Sequence, residues 1–301
     1  MSSIQVQKLY TLTGHRDSVY TVVGADQPSL VFSGTGDGMV VLWDLRHPGE
    51  GDLIAKLPNS IYSLVHANDH LIVGHNYEGI HVLDWKNQKE VSSLKMTDAA
   101  IFDLQHYGDN LFIASGEGAF TVVSIDQMLV RSRQVFSQKS ARTIAVNPVI
   151  GDIAVGYSDN SIRIFDLQGY ALKKEWVAHT NSVFSLRYSP DGRFLLSGSR
   201  DARLKAWDPS ADYRLAEEVV AHMYAINSMS FSPDGKHFVT CSLDKSIKLW
   251  DADQLKLLKV IDKARHAGHG TSVNKLLWTA CDGQVVSASD DRTISIWKFI
   301  F

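Results

Sequence analysis

One four-residue ending recurs along the chain: Val41-Leu42-Trp43-Asp44, Lys205-Ala206-Trp207-Asp208, Lys248-Leu249-Trp250-Asp251 and Ser295-Ile296-Trp297-Lys298. Three weaker versions lie between the first two: Val82-Leu83-Asp84, Val122-Val123-Ser124 and Ile164-Phe165-Asp166. With Trp43, Leu83, Val123, Phe165, Trp207, Trp250 and Trp297 as equivalents, the steps are 40, 40, 42, 42, 43 and 47 residues. A fixed period of this size marks a stack of like supersecondary units. Seven of them account for residues 1–301 as a single domain, with no linker or low-complexity segment between them.

Each unit reads as short strands. In the fifth, Val183–Tyr188 alternates with the period of two of a half-buried strand. Ser189-Pro190-Asp191-Gly192 supplies a turn, Pro setting φ and Gly free to take positive φ. Phe194–Ser197, Leu204–Trp207 and a segment around Glu217–Val220 follow as further strands. Four antiparallel strands per repeat make one propeller blade, so the expected fold is all-β, a seven-bladed β-propeller. Only Lys298–Phe301 follow Trp297, while a spare strand at about residues 4–12 precedes Gly14-His15. That strand is expected to complete the last blade, closing the ring and covering two sheet edges at once.

Four repeats share one motif: His15, Ser33, Asp37 and Trp43; His179, Ser197, Asp201 and Trp207; His222, Thr240, Asp244 and Trp250; His269, Ser287, Asp291 and Trp297. In each, the offsets from His are +18, +22 and +28. Ser, His and Asp suggest a catalytic triad, but a triad is one constellation and this set occurs four times. With Gly-His or Ala-His opening a repeat and Trp-Asp closing its third strand, the chain resembles the WD-repeat family along its whole length. The resemblance implies a structural relay in each blade: Trp N–H to the hydroxyl, hydroxyl to His, and the other His nitrogen to Asp. Blades 2, 3 and 4 depart from the pattern. They hold Leu83, Val123 and Phe165 for Trp, lack the His, and carry Tyr77 or Glu78, Glu117 and Asp159 at the turn.

The first strands align on Val19, Ile61, Ile101, Ala141, Val183, Ile226 and Val273. The residues that follow are Tyr20, Tyr62, Phe102, Arg142, Phe184, Asn227 and Asn274, and small Ser or Ala residues precede. The resemblance implies that these positions, with the residue before the turn Asp (Gly36, Ser158, Arg200, Leu243 and Asp290), line the top face where partners dock. Aromatics and Arg dominate binding hot spots. Tyr20, Tyr62, Phe102, Arg142, Phe184, Arg200, Asn227 and Asn274 are therefore the expected partner contacts, suited to a peptide that sets an acidic residue beside an apolar anchor. A competing reading is that these rings only pack between blades.

Other chemistry finds little support. The net charge is −3 with no basic stripe, which argues against nucleic acid and anionic membranes. Cys241 and Cys281 are too few for a disulfide framework and read as buried thiols of a reducing compartment. The first residues do not read as a signal peptide, and no apolar run reaches a membrane span. His66, Asp69, His70 and His75 cluster, but His66-Ala67-Asn68-Asp69-His70 reads as a hairpin turn. Asp262-Lys263-Ala264-Arg265-His266, inside the longest repeat, is expected to be a basic loop on the rim. The expectation is a non-enzymatic cytoplasmic scaffold without cofactor or metal, monomeric by itself and a subunit of a larger complex, whose partner is a protein or peptide. The alternatives are a propeller enzyme such as a metal-dependent hydrolase, or a histone-type or nucleic-acid-associated reader.

Overall fold

The computed structural model describes residues 4–301. Its strands form seven four-stranded sheets, each antiparallel wherever its register is defined. The fold is all-β, a seven-bladed propeller, with one short α-helix and one 3-10 turn among the described residues. The N-terminal strand Gln5–Leu12 pairs antiparallel with Ile294–Ile300, from Gln5 opposite Ile300 to Leu12 opposite Ile294. It is the fourth strand of the last blade, as expected from the sequence.

The chain forms two compact units. One comprises Met1–Ile61 with Asn227–Phe301, the other Tyr62–Ile226. The first holds blades 1, 6 and 7, whose first strands are Val19–Gly24, Ile226–Phe231 and Val273–Trp278. The second holds blades 2 to 5, whose first strands are Ile61–Ala67, Ile101–Tyr107, Ala141–Asn147 and Val183–Tyr188.

Each unit has its own cores. In the first, Val41 and Trp43 pack with Val286, Ile294 and Ile296. In the second, Phe112, Phe120, Tyr157 and Phe165 share a cluster, with Phe120 stacked on Phe165 at 4.6 Å between centroids. Full burial of a side chain like Phe165 contributes about 1.5–3 kcal/mol. Polar cross-links add direction. Asp103, buried in blade 3, accepts from Ile144 N at 2.8 Å, and Thr143 Oγ1 accepts from Leu186 N at 3.2 Å, so three successive first strands are tied. Tyr213 links blades 4 and 5, donating to Asp152 at 2.5 Å while its oxygen lies 2.7 Å from the Tyr188 hydroxyl.

The turns follow their chemistry. Asn68 and Asp69 both take positive φ, 50° and 62°, and close a two-residue hairpin between Ile61–Ala67 and His70–His75. The segment expected to be a basic loop contains a short helix, Lys263–His266. Asp262 caps it by accepting from Arg265 N at 2.8 Å and is ion-paired with the Arg265 guanidinium at 2.6 Å. Part of the local positive charge is thereby neutralised.

Candidate functional site

The repeated polar set is a chain of hydrogen bonds. In blade 5, Trp207 Nε1 donates to Ser197 Oγ (2.8 Å), Ser197 Oγ lies 2.8 Å from His179 Nε2, and His179 Nδ1 lies 3.0 Å from Asp201 Oδ2. Blade 7 repeats it with Trp297, Ser287, His269 and Asp291 at 2.8, 2.8 and 2.9 Å. A carboxylate only accepts, so His Nδ1 carries the proton and Nε2 accepts from the hydroxyl. The Asp201 and Asp291 carboxyls are held well below the usual range: burial works against ionisation, and hydrogen bonds from the facing His and from backbone N–H groups overcome it. In blade 6, Trp250 Nε1 donates to Thr240 Oγ1 at 2.9 Å.

Blade 1 differs. Trp43 donates to Ser33 at 2.8 Å and His15 Nε2 lies 3.0 Å from it, but Asp37 accepts from Thr35 Oγ1 and from Lys56 Nζ instead. Burial pulls the His15 imidazole down to about 4, and the charge of Asp37 offsets this only in part. Every hydroxyl in these sets lies buried beneath a Trp, which leaves no exposed nucleophile.

Blades 2, 3 and 4 lose Trp and hydroxyl together. The pairs are Leu83 with Val73, Val123 with Ile113, and Phe165 with Val155, all buried. Replacing both partners by apolar groups leaves nothing unsatisfied. Other contacts serve instead. Glu117 accepts from Thr97 at 2.8 Å and pairs with Arg133 at 3.0 Å. Arg163, stacked on Tyr157, pairs with Asp159 at 3.0 Å and Glu175 at 2.9 Å. In blade 2, His75 Nδ1 lies 3.1 Å from His81 Nε2, and His81 Nδ1 lies 3.0 Å from Glu90. Spacing analysis missed this pair; the alternating His-x-Leu-Asp strand around His81 was its only signal.

The aligned positions at the start of the first strands share one geometry. Val19, Ile101, Ala141, Val183 and Val273 are fully buried and pair with Thr35, Ser115, Tyr157, Ser199 and Ser289. In each blade the register then shifts, so Tyr20, Phe102, Arg142, Phe184 and Asn274 each occupy a β-bulge. A bulge leaves one residue unpaired and re-aims its side chain. The residue before the turn lies alongside, since Arg200 N donates to Ser182 O, Ser158 N to Ser140 O and Gly116 N to Ala100 O.

Four expected contacts of the Tyr62–Ile226 unit come together. Tyr62 stacks on Phe102 at 5.7 Å and 24°. The Arg142 guanidinium sits 3.7 Å from the Phe102 centroid and 4.7 Å from that of Phe184. The result is a half-buried ladder across four blades, Tyr62–Phe102–Arg142–Phe184, with exposed Arg200 close enough for its charge to act on Arg142. Burial pulls the Arg142 guanidinium down to about 10. In the other unit, Asn227 Nδ2 donates to Ser272 Oγ (3.0 Å) and Val273 O (2.9 Å). Asn274 Nδ2 donates to Val19 O (3.0 Å) and Asp290 (2.7 Å). Both amides are engaged as cross-links between blades. Tyr20 lies beside Asp17 and Gly36 of its own blade.

Among the described residues, no three His, Cys, Asp or Glu side chains are grouped to hold a metal ion, and no helix is long and apolar enough to cross a membrane.

Seven four-stranded blades, with Trp–hydroxyl–His–Asp relays in the regular ones, define a repeat propeller. The chain belongs to the WD-repeat family: the repeat described as "WD domain, G-beta repeat" matches residues 6–44, 171–208, 215–251 and 261–298, together half of the chain. The four matches end at the four Trp-bearing third strands, those of blades 1, 5, 6 and 7. Relatives include striatin of Mus musculus, 22% identical over 69% of this chain and 30% of its own length. The 66 kDa stress protein of Physarum polycephalum is 25% identical over 67% of this chain and 34% of its own. The periodic tryptophan protein 2 homolog of Mus musculus is 25% identical over 66% and 24%. The chain spans about a third or less of the length of these relatives.

Proposed function

We propose that this WD-repeat protein is a non-catalytic interaction platform inside the cell, a subunit of a larger complex, and that it receives a protein or peptide on the blade ends carrying the ladder. The carrying observation is the ladder itself. Bulges turn Phe102, Arg142 and Phe184 out of the strand pairing, and the side chains stay half-exposed where a folded core would bury them. Aromatic side chains lose little entropy on binding, and aromatics with Arg form the usual centre of an interface. A hydrolase would want acidic ligands converging at these positions; aromatics, Arg and engaged Asn amides stand there.

The test compares the wild type with the triple variant Tyr62→Ala, Phe102→Ala, Phe184→Ala in affinity purification with mass spectrometry. Loss of a reproducible partner, with the melting temperature retained, supports the proposal. Unchanged partners move the site elsewhere. Collapse of the variant's melting temperature assigns the rings to the core.

A further inference from the structure

The arginines of the Tyr62–Ile226 unit divide by their partners. Arg131, Arg133, Arg163 and Arg203 each pair with a carboxylate. Arg163 is the closest parallel to Arg142, since it also stacks on an aromatic ring, at 4.4 Å, yet it holds two carboxylates. Arg142 holds none. Among the described residues nothing accepts a hydrogen bond from it, and the neighbouring charge of Arg200 works against its own. The Arg142 nitrogens are not among the sealed, unsatisfied polar atoms of the unit.

Chemistry makes this arrangement specific. Phe102 and Phe184 come from the blades on either side, and each ring lies within cation–π reach of the guanidinium. The guanidinium is a planar fork of N–H donors that matches a carboxylate held in the same plane. Arg200 places a second cation nearby, so each guanidinium raises the energy of the other until an anion arrives. Beside the Arg200 turn, the loop carrying Met223 and Tyr224 is pinned by His222 N donating to Ala202 O at 3.2 Å, and both side chains are exposed. Exposed apolar side chains therefore stand on the loop tied to the turn that follows Arg200. A nucleic-acid backbone fits poorly, because the chain is net acidic at −3.

We infer that Arg142, clamped between Phe102 and Phe184 and seconded by Arg200, is the receptor for an acidic side chain of a peptide partner, an Asp or Glu flanked by an aromatic or aliphatic residue. This rests on the proposed docking function and names its ligand chemistry.

The experiment is a selection of random short peptides, displayed on phage, against the full chain. Selected peptides are then synthesised and titrated against wild type, Arg142→Gln and Arg142→Lys. The expected sequences place Asp or Glu next to an apolar residue. Arg142→Gln weakens them by about tenfold or more, as for a hot-spot contact. Arg142→Lys rescues poorly, since an ammonium has no planar fork. Changing the peptide's Glu to Gln weakens wild-type binding equally and adds little once Arg142 is Gln. Selected sequences without an acidic position, or losses that simply add, overturn the inference while leaving the docking function intact if Phe102→Ala and Phe184→Ala still abolish binding. Selected peptides indifferent to Tyr62, Phe102 and Phe184 overturn the docking function itself. Should Arg142→Gln unfold, the Glu-to-Gln peptide on wild type still decides.

Discussion

Ser197 Oγ serves two buried partners at once, the Trp207 indole and the His179 ring, each at 2.8 Å. Ser197→Ala strands both. Leaving buried donors and acceptors unsatisfied costs roughly 1–3 kcal/mol, so the urea midpoint should fall accordingly with the slope unchanged. His15 gives the residue scale a pH signature. Its folded pKa of about 4 lies below its ordinary 6.5, so protons bind the unfolded chain preferentially. The stability from its burial is complete above pH 6.5, declines as pH falls, and is gone below about 4. The largest loss is about 3 kcal/mol at 1.4 kcal/mol per pH unit. Buried His75 is shifted the same way, by burial and by the neighbouring His81. Asp201 and Asp291 lose their contribution only in more acid solution, below the ordinary carboxyl value of 3.8. Denaturant titrations at several pH values should therefore show a decline between 6.5 and 4 that is shallower in His15→Gln. An identical decline in that variant would assign the effect elsewhere.

At the scale of elements, the strand Gln5–Leu12 pairs along the outer edge of Ile294–Ile300. Removing residues 1–12 bares a seven-residue, largely apolar edge. Such an edge templates pairing with other chains. The truncated protein is expected to melt earlier and to scatter light in proportion to concentration; an unchanged melt would mean that the edge is covered by other means. This strand was legible in advance because the last repeat ran out of residues and the first had a surplus. Repeat length, turn chemistry and strand alternation were legible for the same reason: each is a local pattern copied several times. The bulges were not. An extra residue at Phe102 or Arg142 changes no hydrophobic alternation, and it becomes visible only when Ile101 and Asp103 are both seen paired across the ladder. The helix Lys263–His266 was missed because four residues carry no period; its one sequence signal was Asp262 at the capping position.

Across the whole molecule, the expected contact residues differ in how far the fold satisfies them. In the unit of Met1–Ile61 with Asn227–Phe301, Asn227 and Asn274 bind backbone carbonyls and neighbouring side chains. In the Tyr62–Ile226 unit, Arg142 lies against the Phe102 and Phe184 rings without a carboxylate partner and carries the burden of burial and of Arg200 beside it. A group that stabilises a fold is satisfied within it, and a group kept for a ligand is left wanting a partner, so the two should respond in opposite ways to substitution. Asn274→Ala strands Val19 O and releases Asp290, and should lower unfolding free energy by about 1–3 kcal/mol while leaving peptide affinity at the ladder unchanged. Arg142→Gln gives up two cation–π contacts but relieves a half-buried charge that no carboxylate pairs, so its unfolding free energy should stay within about 1 kcal/mol of wild type while affinity falls. Measuring melts and titrations on both variants gives a crossed pattern if the two kinds of work are separate. If Arg142→Gln unfolds and Asn274→Ala alone loses the peptide, the assignment is reversed, and the docking surface belongs to the regular blades.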